Sequence, residues 1–391
     1  MVNGTLSRMH LLGFRSTSAQ DVDFDNPTFF VGRNGSGKSN FADAFAFLSE
    51  AMVSPLEGVI AQRGGFSAVS HRSSARGRPT NLTLSVRLSN PDSDTGAANY
   101  YIDLRPRRGF DFEVAREWCD VTAVDGSQHM FERRTSKGAT VWDKSIESIA
   151  PAIEPKALAL PLIGGYRRFR SVFRFLSRMR TYRIEPAAVG AMQEPDGGAE
   201  LRCDGGNAAS VLRQIQRSSP EHRVRIRQLL ESVVPGTVDV RPKRHGNKLT
   251  LEFTQDRGGA EPVKFEAFSM SDGTLRVLGL IMAVFQRPAP SVLVIEEPEA
   301  SMHPGALGSI LDILQLASQS MQVVVTTHSP DILDAKWIED RHLRVLSWRH
   351  GSTRIDRVSQ SVRAALGKHL MGAGELLRSN ALTAEEAVDP A

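Results

Sequence analysis

The stretch Gly32-Arg33-Asn34-Gly35-Ser36-Gly37-Lys38-Ser39 leaves this chain few folds to choose from. It fits the pattern G-x-x-x-x-G-K-[ST], and its flanks are the ones that pattern requires. Thr28–Val31 reads as a short buried strand entering the loop, and Phe41, Phe45, Leu48 and Met52 recur at helical spacing after it. Glycine lets the backbone curl until its amides point at phosphate oxygens. The helix that follows adds its positive end. Gly32, Asn34, Gly35, Ser36, Gly37 and Asn40 are therefore candidate cradle residues. Lys38 is a partner for β- and γ-phosphates, and Ser39 a hydroxyl ligand for Mg²⁺. The competing reading is a glycine-rich turn that binds nothing; the strand and helix on either side weigh against it.

Two more buried-strand runs end in polar residues. Val292-Leu293-Val294-Ile295 runs into Glu296-Glu297. Carboxylates at the C-terminal end of a central strand stand where open α/β sheets bind ligands. Adjacent strand residues face opposite sides, so the pair can divide two tasks. Glu296 suits the Mg²⁺ shell, and Glu297 suits orienting or deprotonating an attacking water. Val323-Val324-Val325-Thr326-Thr327 ends at His328, whose ring can donate a hydrogen bond to a γ-phosphate or to that water. Taken alone, a solvated acidic turn and a structural histidine are the plainer alternatives.

Ser269-Met270-Ser271-Asp272-Gly273-Thr274-Leu275 precedes the acidic pair. With it, the order of motifs resembles that of ABC-type ATPases, in the form found in the RecF, SMC and OLD-like branch. The resemblance is carried by about Thr5–Phe45 and Phe268–Leu346 and covers the middle of the chain loosely. It implies a P-loop NTPase fold and a composite site. ATP and Mg²⁺ would be held by Lys38, Ser39, Glu296, Glu297 and His328 of one subunit and capped by Ser271 and Gly273 of another. ATP would then join a homodimer, open to larger assembly, and hydrolysis would release it. Pro298–Pro304 would cross the seam, with His303 near it. The chain departs from the pattern in three places. Glu296 stands where many P-loop proteins carry Asp, Arg33 replaces a small or proline residue, and Gln193 is the one candidate for a Mg²⁺-sensing glutamine between lobes.

The fold class expected is α/β: a mostly parallel central sheet with an added antiparallel β subdomain and a helical lobe. Strands are expected at Thr5–Leu12, Asp21–Phe24, Leu82–Leu88, Tyr100–Leu104, Phe110–Arg116, Met130–Arg133 and Thr140–Trp142, with a loop over Arg63–Pro79. Residues 1–144 read as the first half of the nucleotide-binding lobe and 145–237 as an inserted helical lobe. Residues 238–360 read as the second half of the nucleotide-binding lobe, and 361–391 as a tail with a short helix and a loose end. The helix Ser271–Phe285 begins the clearest α/β alternation, which ends at strand Leu343–Leu346. No sustained heptad pattern supports a coiled-coil arm. About 60 residues follow His328, too few for a nuclease domain of the OLD kind.

Two cysteines offer neither a disulfide framework nor a metal cluster, and no apolar run is long enough to span a bilayer. A reducing cytosol is the expected setting, away from the membrane. The net charge of +4 permits nucleic-acid binding without requiring it. Within the acid-free stretch Pro161–Arg183, Arg167, Arg170, Arg174 and Arg178 recur on one helix face, and Tyr166, Phe169, Phe173 and Leu176 on another. This is either a ridge for DNA or RNA phosphates or an amphipathic helix whose aromatic face is core. The resemblance implies an ATPase acting on a separate effector or nuclease, in anti-phage defence or DNA repair. A nucleotide-gated clamp with little turnover, and the ATPase subunit of a transporter, are the alternatives.

Overall fold

The computed structural model describes residues 4–71, 80–109, 111–136, 139–142, 152–259, 261–300 and 302–385. Expectations for Phe110, for 72–79 of the Arg63–Pro79 loop, for 145–151 and for 386–391 fall outside these residues.

Strands β1 (Thr5–Phe14) and β2 (Thr17–Asp23) form a hairpin, and β3 (Thr28–Val31) enters the glycine loop. Helices α1 (Lys38–Val53), α2 (Leu56–Gln62) and α3 (Phe66–Val69) follow, so part of the expected loop is helical. Strands β4 (Leu82–Ser89), β5 (Thr95–Arg107), β6 (Asp111–Ala123), β7 (Gln128–Ser136) and β8 (Ala139–Trp142) extend the hairpin into an antiparallel sheet. Its order is β2-β1-β4-β5-β6-β7-β8. Next come α4 (Leu160–Ile163), α5 (Arg167–Ser177), β9 (Arg180–Tyr182), α6 (Pro186–Gly190), α7 (Ala208–Ser218) and α8 (Pro220–Val233). Strands β10 (Thr237–His245), β11 (Lys248–Gln255) and β12 (Val263–Glu266) make a small antiparallel sheet. The chain then alternates through α9 (Asp272–Phe285), β13 (Val292–Glu296), α10 (Leu307–Ser318), β14 (Gln322–Thr327) and α11 (Pro330–Leu333). It ends in the hairpin of β15 (Leu343–Arg349) and β16 (Ser352–Arg357), with α12 (Gln360–Gly367) and α13 (Ala373–Arg378).

The central sheet has the order β16-β15-β3-β14-β13-β9, parallel except at the β16 edge. Phe29, Val31, Leu293, Ile295, Val323 and Val325 face one core, which they share with α7 to α10. Phe30, Val292, Val294 and Val324 face a second core, shared with α1, α5 and the inner face of the large antiparallel sheet. Burial on both faces is why these strands are unbroken apolar runs, whereas β4 alternates Leu82, Leu84, Val86 and Leu88 with polar residues.

Two readings of the sequence need correction. β9 lies inside the segment expected to be helical. Three residues carry too little periodicity to be seen, and pairing with β13 decides their conformation. The expected tail holds two short helices, whose Val362, Ala373 and Leu376 are buried against the first core.

An ion pair with no solvent exposure, Glu117–Arg133 (3.0 Å), joins β6 to β7 inside the large sheet. The Glu117 carboxylate also accepts from Tyr100 Oη (2.8 Å) and from the backbone amides of Ala159 (2.6 Å) and Leu160 (2.9 Å). A buried charge is tolerable only when its lone pairs are satisfied in this way.

Candidate nucleotide-binding site

Gly35 and Gly37 have φ of +79° and +99°, a region that side chains disfavour. A Cβ on Gly37 would lie 2.0 Å from Thr353 Oγ1, and one on Gly32 would lie 2.6 Å from the Leu346 carbonyl. The β15–β16 hairpin therefore presses against the back of the loop. Thr353 Oγ1 donates to the Ser36 carbonyl (3.0 Å) and hydrogen-bonds Ser16 Oγ (2.8 Å), which also accepts from Asn40 Nδ2 (2.8 Å). Among the described residues nothing lies within 4 Å of the Cβ position of Gly35, on the open front of the loop.

That front lines a cavity of about 370 Å³ with Asn34, Gly35, Gly37, Lys38, Ser39, Asn40, Glu296 and Glu297. Arg183, which the sequence reading left unassigned, lines it too. Parallel pairing of β3, β14 and β13 aligns the C-terminal ends of the strands, so residues more than 250 positions apart in sequence share one edge. The buried Lys38 Nζ donates to the carbonyls of Gly32 (2.8 Å) and Arg33 (3.2 Å) and stands 4.0 Å from Glu297 Oε1. Burial lowers its pKa below the ordinary lysine value, against the pull of Glu297, Glu299 and Glu296. Burial likewise raises the Glu296 carboxyl, opposed by a hydrogen bond from Ser39 and by the charge of Arg183. Glu297 has φ of +44°. A left-handed glutamate is strained, and strain of this kind gathers at functional sites.

His328 and Gly32 line an adjoining cavity with Arg33, Asn34 and Leu377. His328 Nδ1 is 3.3 Å from Glu297 Oε1. Glu299 holds this corner together. Its Oε1 accepts from Thr327 Oγ1 (2.6 Å) and from the His328 amide (3.3 Å). The acidic run Glu296-Glu297-Pro298-Glu299 carried that signal, although the sequence reading gave Glu299 no role.

Within the loop, the Ser36 Oγ is buried and has no hydrogen-bond partner among the described residues. Ser271 is the N-cap of α9, not its first residue, and its Oγ accepts from the Thr274 amide (3.3 Å). Ser271 is exposed and Gly273 half-buried; neither lines the cavity of its own chain. His303 is exposed, its Nδ1 accepting from the Gly305 amide (3.1 Å). Gln193 is a correction: it is buried, bridges Leu249 through its backbone, and its Oε1 accepts from the Ser210 amide. It packs against the small antiparallel sheet and does not line the cavity.

Arg167, Arg170, Arg174 and Arg178 are exposed, while Phe169 and Leu176 are core. Tyr166 departs from the expected aromatic face and is 47% exposed. Arg178 follows the end of α5, and its carbonyl accepts from the Ser291 amide (3.1 Å) just before β13. The ridge therefore sits at the N-terminal edge of the sheet. The length of β13, roughly 16 Å at the rise of an extended chain, separates it from Glu296.

The donor set suits a hard divalent cation. Ser39 and Glu296 place a hydroxyl and a carboxylate oxygen on the same cavity wall, and Mg²⁺ in phosphate sites takes few protein ligands. No cluster of three or more His, Cys, Asp or Glu among the described residues offers an all-protein metal cage. No helix among them is long and apolar enough to cross a membrane.

A family model described as "AAA domain, putative AbiEii toxin, Type IV TA system" matches residues 28–334. No curated protein matches. Solved structures match over nearly the whole chain. One is an SMC head bound to the C-terminal winged-helix domain of ScpA, with TM-score 0.56 and 14% identity, covering 92% of this chain and 99% of that one. Another is an SMC head with an extended coiled coil bound to the C-terminal domain of ScpA, from Pyrococcus furiosus, with TM-score 0.51 and 12% identity over 94% and 99%. A third, from Pyrococcus yayanosii, is an SMC head with a coiled coil and joint, with TM-score 0.51 and 10% identity over 94% and 100%. At these identities the likeness is one of fold: the α/β architecture of SMC-head ATPase domains.

Proposed function

We propose, for a chain that belongs to the family described as "AAA domain, putative AbiEii toxin, Type IV TA system", that it binds and hydrolyses ATP with Mg²⁺ and that two copies close head to tail over two nucleotides. The observation that carries this reading is one cavity lined by the glycine cradle, Lys38, Ser39, Glu296 and Glu297. Lys38 is held by the Gly32 and Arg33 carbonyls and moves to phosphate oxygens when these arrive. Ser39 and Glu296 would hold Mg²⁺, which would supply charge neutralisation at the phosphates. Glu297 orients the attacking water and accepts its proton, and His328 steadies the Glu297 carboxylate.

The 14-residue helix α9 presents its N-terminus at the surface, with Ser271 and Asp272 exposed. Such an end suits an anion, and the γ-phosphate held by a second copy is the anion proposed. ATP then acts as the bridge, and hydrolysis removes it. A separate effector is proposed by analogy with the SMC heads bound to ScpA, and the words "toxin" and "TA system" in the family description favour defence over repair. The arginine ridge remains a proposed nucleic-acid contact.

The experiment is steady-state turnover of Glu297→Gln. The variant should keep ATP affinity and lose turnover by about 10²- to 10⁴-fold, the usual worth of a general base. Unchanged turnover removes Glu297 from the reaction and favours ATP as a structural ligand.

A further inference from the structure

Lys38 is the cation expected of a phosphate loop; Arg183 is not. It is the residue after β9, and the β9–β13 register pairs Tyr182 with Ile295. One step further, Arg183 comes level with Glu296, on the flank of the cavity away from the glycine loop. Its backbone is fixed on both sides. Tyr182 and Ile184 are buried, and the Arg183 amide donates to the Cys203 carbonyl (2.9 Å). Its side chain is exposed and lines the phosphate cavity.

Two arginines close to it in the fold are engaged elsewhere, and Arg276 of α9, whose guanidinium feels the Arg183 charge, is buried. Arg180 pairs with Glu200 at 2.5 Å and Arg202 with Asp196 at 3.6 Å. Among the described residues Arg183 forms no ion pair, although two carboxylates line the same cavity. Those carboxylates would repel a γ-phosphate set beside them, and a guanidinium on their flank offsets that repulsion. A planar fork of donors also fits phosphate oxygens better than a point charge does.

We propose that Arg183 binds the γ-phosphate of ATP and is the residue by which the site tells ATP from ADP. The proposal rests on the reading of the cavity as an ATP site. It also gives the nucleotide a path to α9. Ile184 packs so tightly on α9 that a Cβ at Gly279 would lie 2.5 Å from its Cγ2. A pull on Arg183 is therefore felt by the helix whose N-cap is Ser271.

The test uses the full chain with Mg²⁺ and titrates a non-hydrolysable ATP analogue and ADP into wild type, Arg183→Ala, Arg183→Lys and Lys38→Ala. In Arg183→Ala the analogue should bind about 10- to 100-fold more weakly, the worth of one or two charge-assisted hydrogen bonds. ADP affinity should hold. Arg183→Lys should recover part of the loss, and its thermal midpoint should match wild type because the side chain is exposed. Equal weakening of both nucleotides, or of neither, overturns the role of Arg183. Wild type that binds neither nucleotide overturns the ATP site itself. Loss of both ligands in Lys38→Ala alone leaves the ATP site standing while Arg183 falls.

Discussion

Replacing Gly37 with alanine tests whether the back of the phosphate loop is built as described. The residue has φ of +99°, and a left-handed conformation costs an L-residue about 1–2 kcal/mol. The new Cβ would also meet Thr353 Oγ1 at 2.0 Å and Thr353 Cγ2 at 2.9 Å. Thr353 is fully buried, so it must rotate and give up its bonds to the Ser36 carbonyl and Ser16 Oγ. Two such bonds, with one group left unsatisfied, amount to about 2–3 kcal/mol. Gly37→Ala should therefore destabilise the chain by about 3–5 kcal/mol, a fall of about 6–10 °C in thermal midpoint at ~2 °C per kcal/mol. In a Thr353→Ala background the two closest contacts are gone and only Ser16 Oγ stays near, at 3.0 Å, so the same change should cost little beyond the backbone term of about 1–2 kcal/mol. The coupling of about 2 kcal/mol is read from a double-mutant cycle. Additive effects, or a Gly37→Ala chain as stable as wild type, would refute the packing of the hairpin on the loop.

Two further outcomes are expected. Arg170→Glu/Arg174→Glu should flatten the salt dependence of duplex DNA binding, by about one unit of slope for each DNA phosphate that the variant no longer neutralises; an unchanged slope makes the ridge an ordinary solvated face. Glu117→Ala leaves the Arg133 charge buried and unpaired, which should lower stability by about 3–5 kcal/mol in urea unfolding, whereas a shift within the error of the measurement would show that the charge finds water.

The glycine loop, the acidic pair and His328 were legible because each is a short polar interruption at the end of an apolar strand. Their convergence followed from the rule that parallel strands gather their C-terminal ends at one edge. Arg183 was hidden because the strand that delivers it, β9, is three residues long and exists only through pairing with β13. The demand for glycine at position 37 was legible as backbone freedom. That Thr353, more than 300 residues later, makes the same demand by contact was not. Residue type alone points to Gln193; the β10–β12 sheet, formed by strands Thr237–His245, Lys248–Gln255 and Val263–Glu266, claims it for packing. The arginine run looked like one helix because arginine spacing continues through Arg178, yet α5 stops at Ser177 and the chain turns into β9.

ATP is proposed to bridge two chains through the exposed N-terminus of α9. The direct measurement is mass in solution, by analytical ultracentrifugation, of Glu297→Gln with saturating Mg²⁺ and ATP, beside the same variant carrying Ser271→Arg. The first should sediment as a dimer with ATP and as a monomer with ADP, and the second as a monomer with either. A Glu297→Gln chain that binds ATP yet stays monomeric, or a dimer indifferent to Ser271→Arg, contradicts the account.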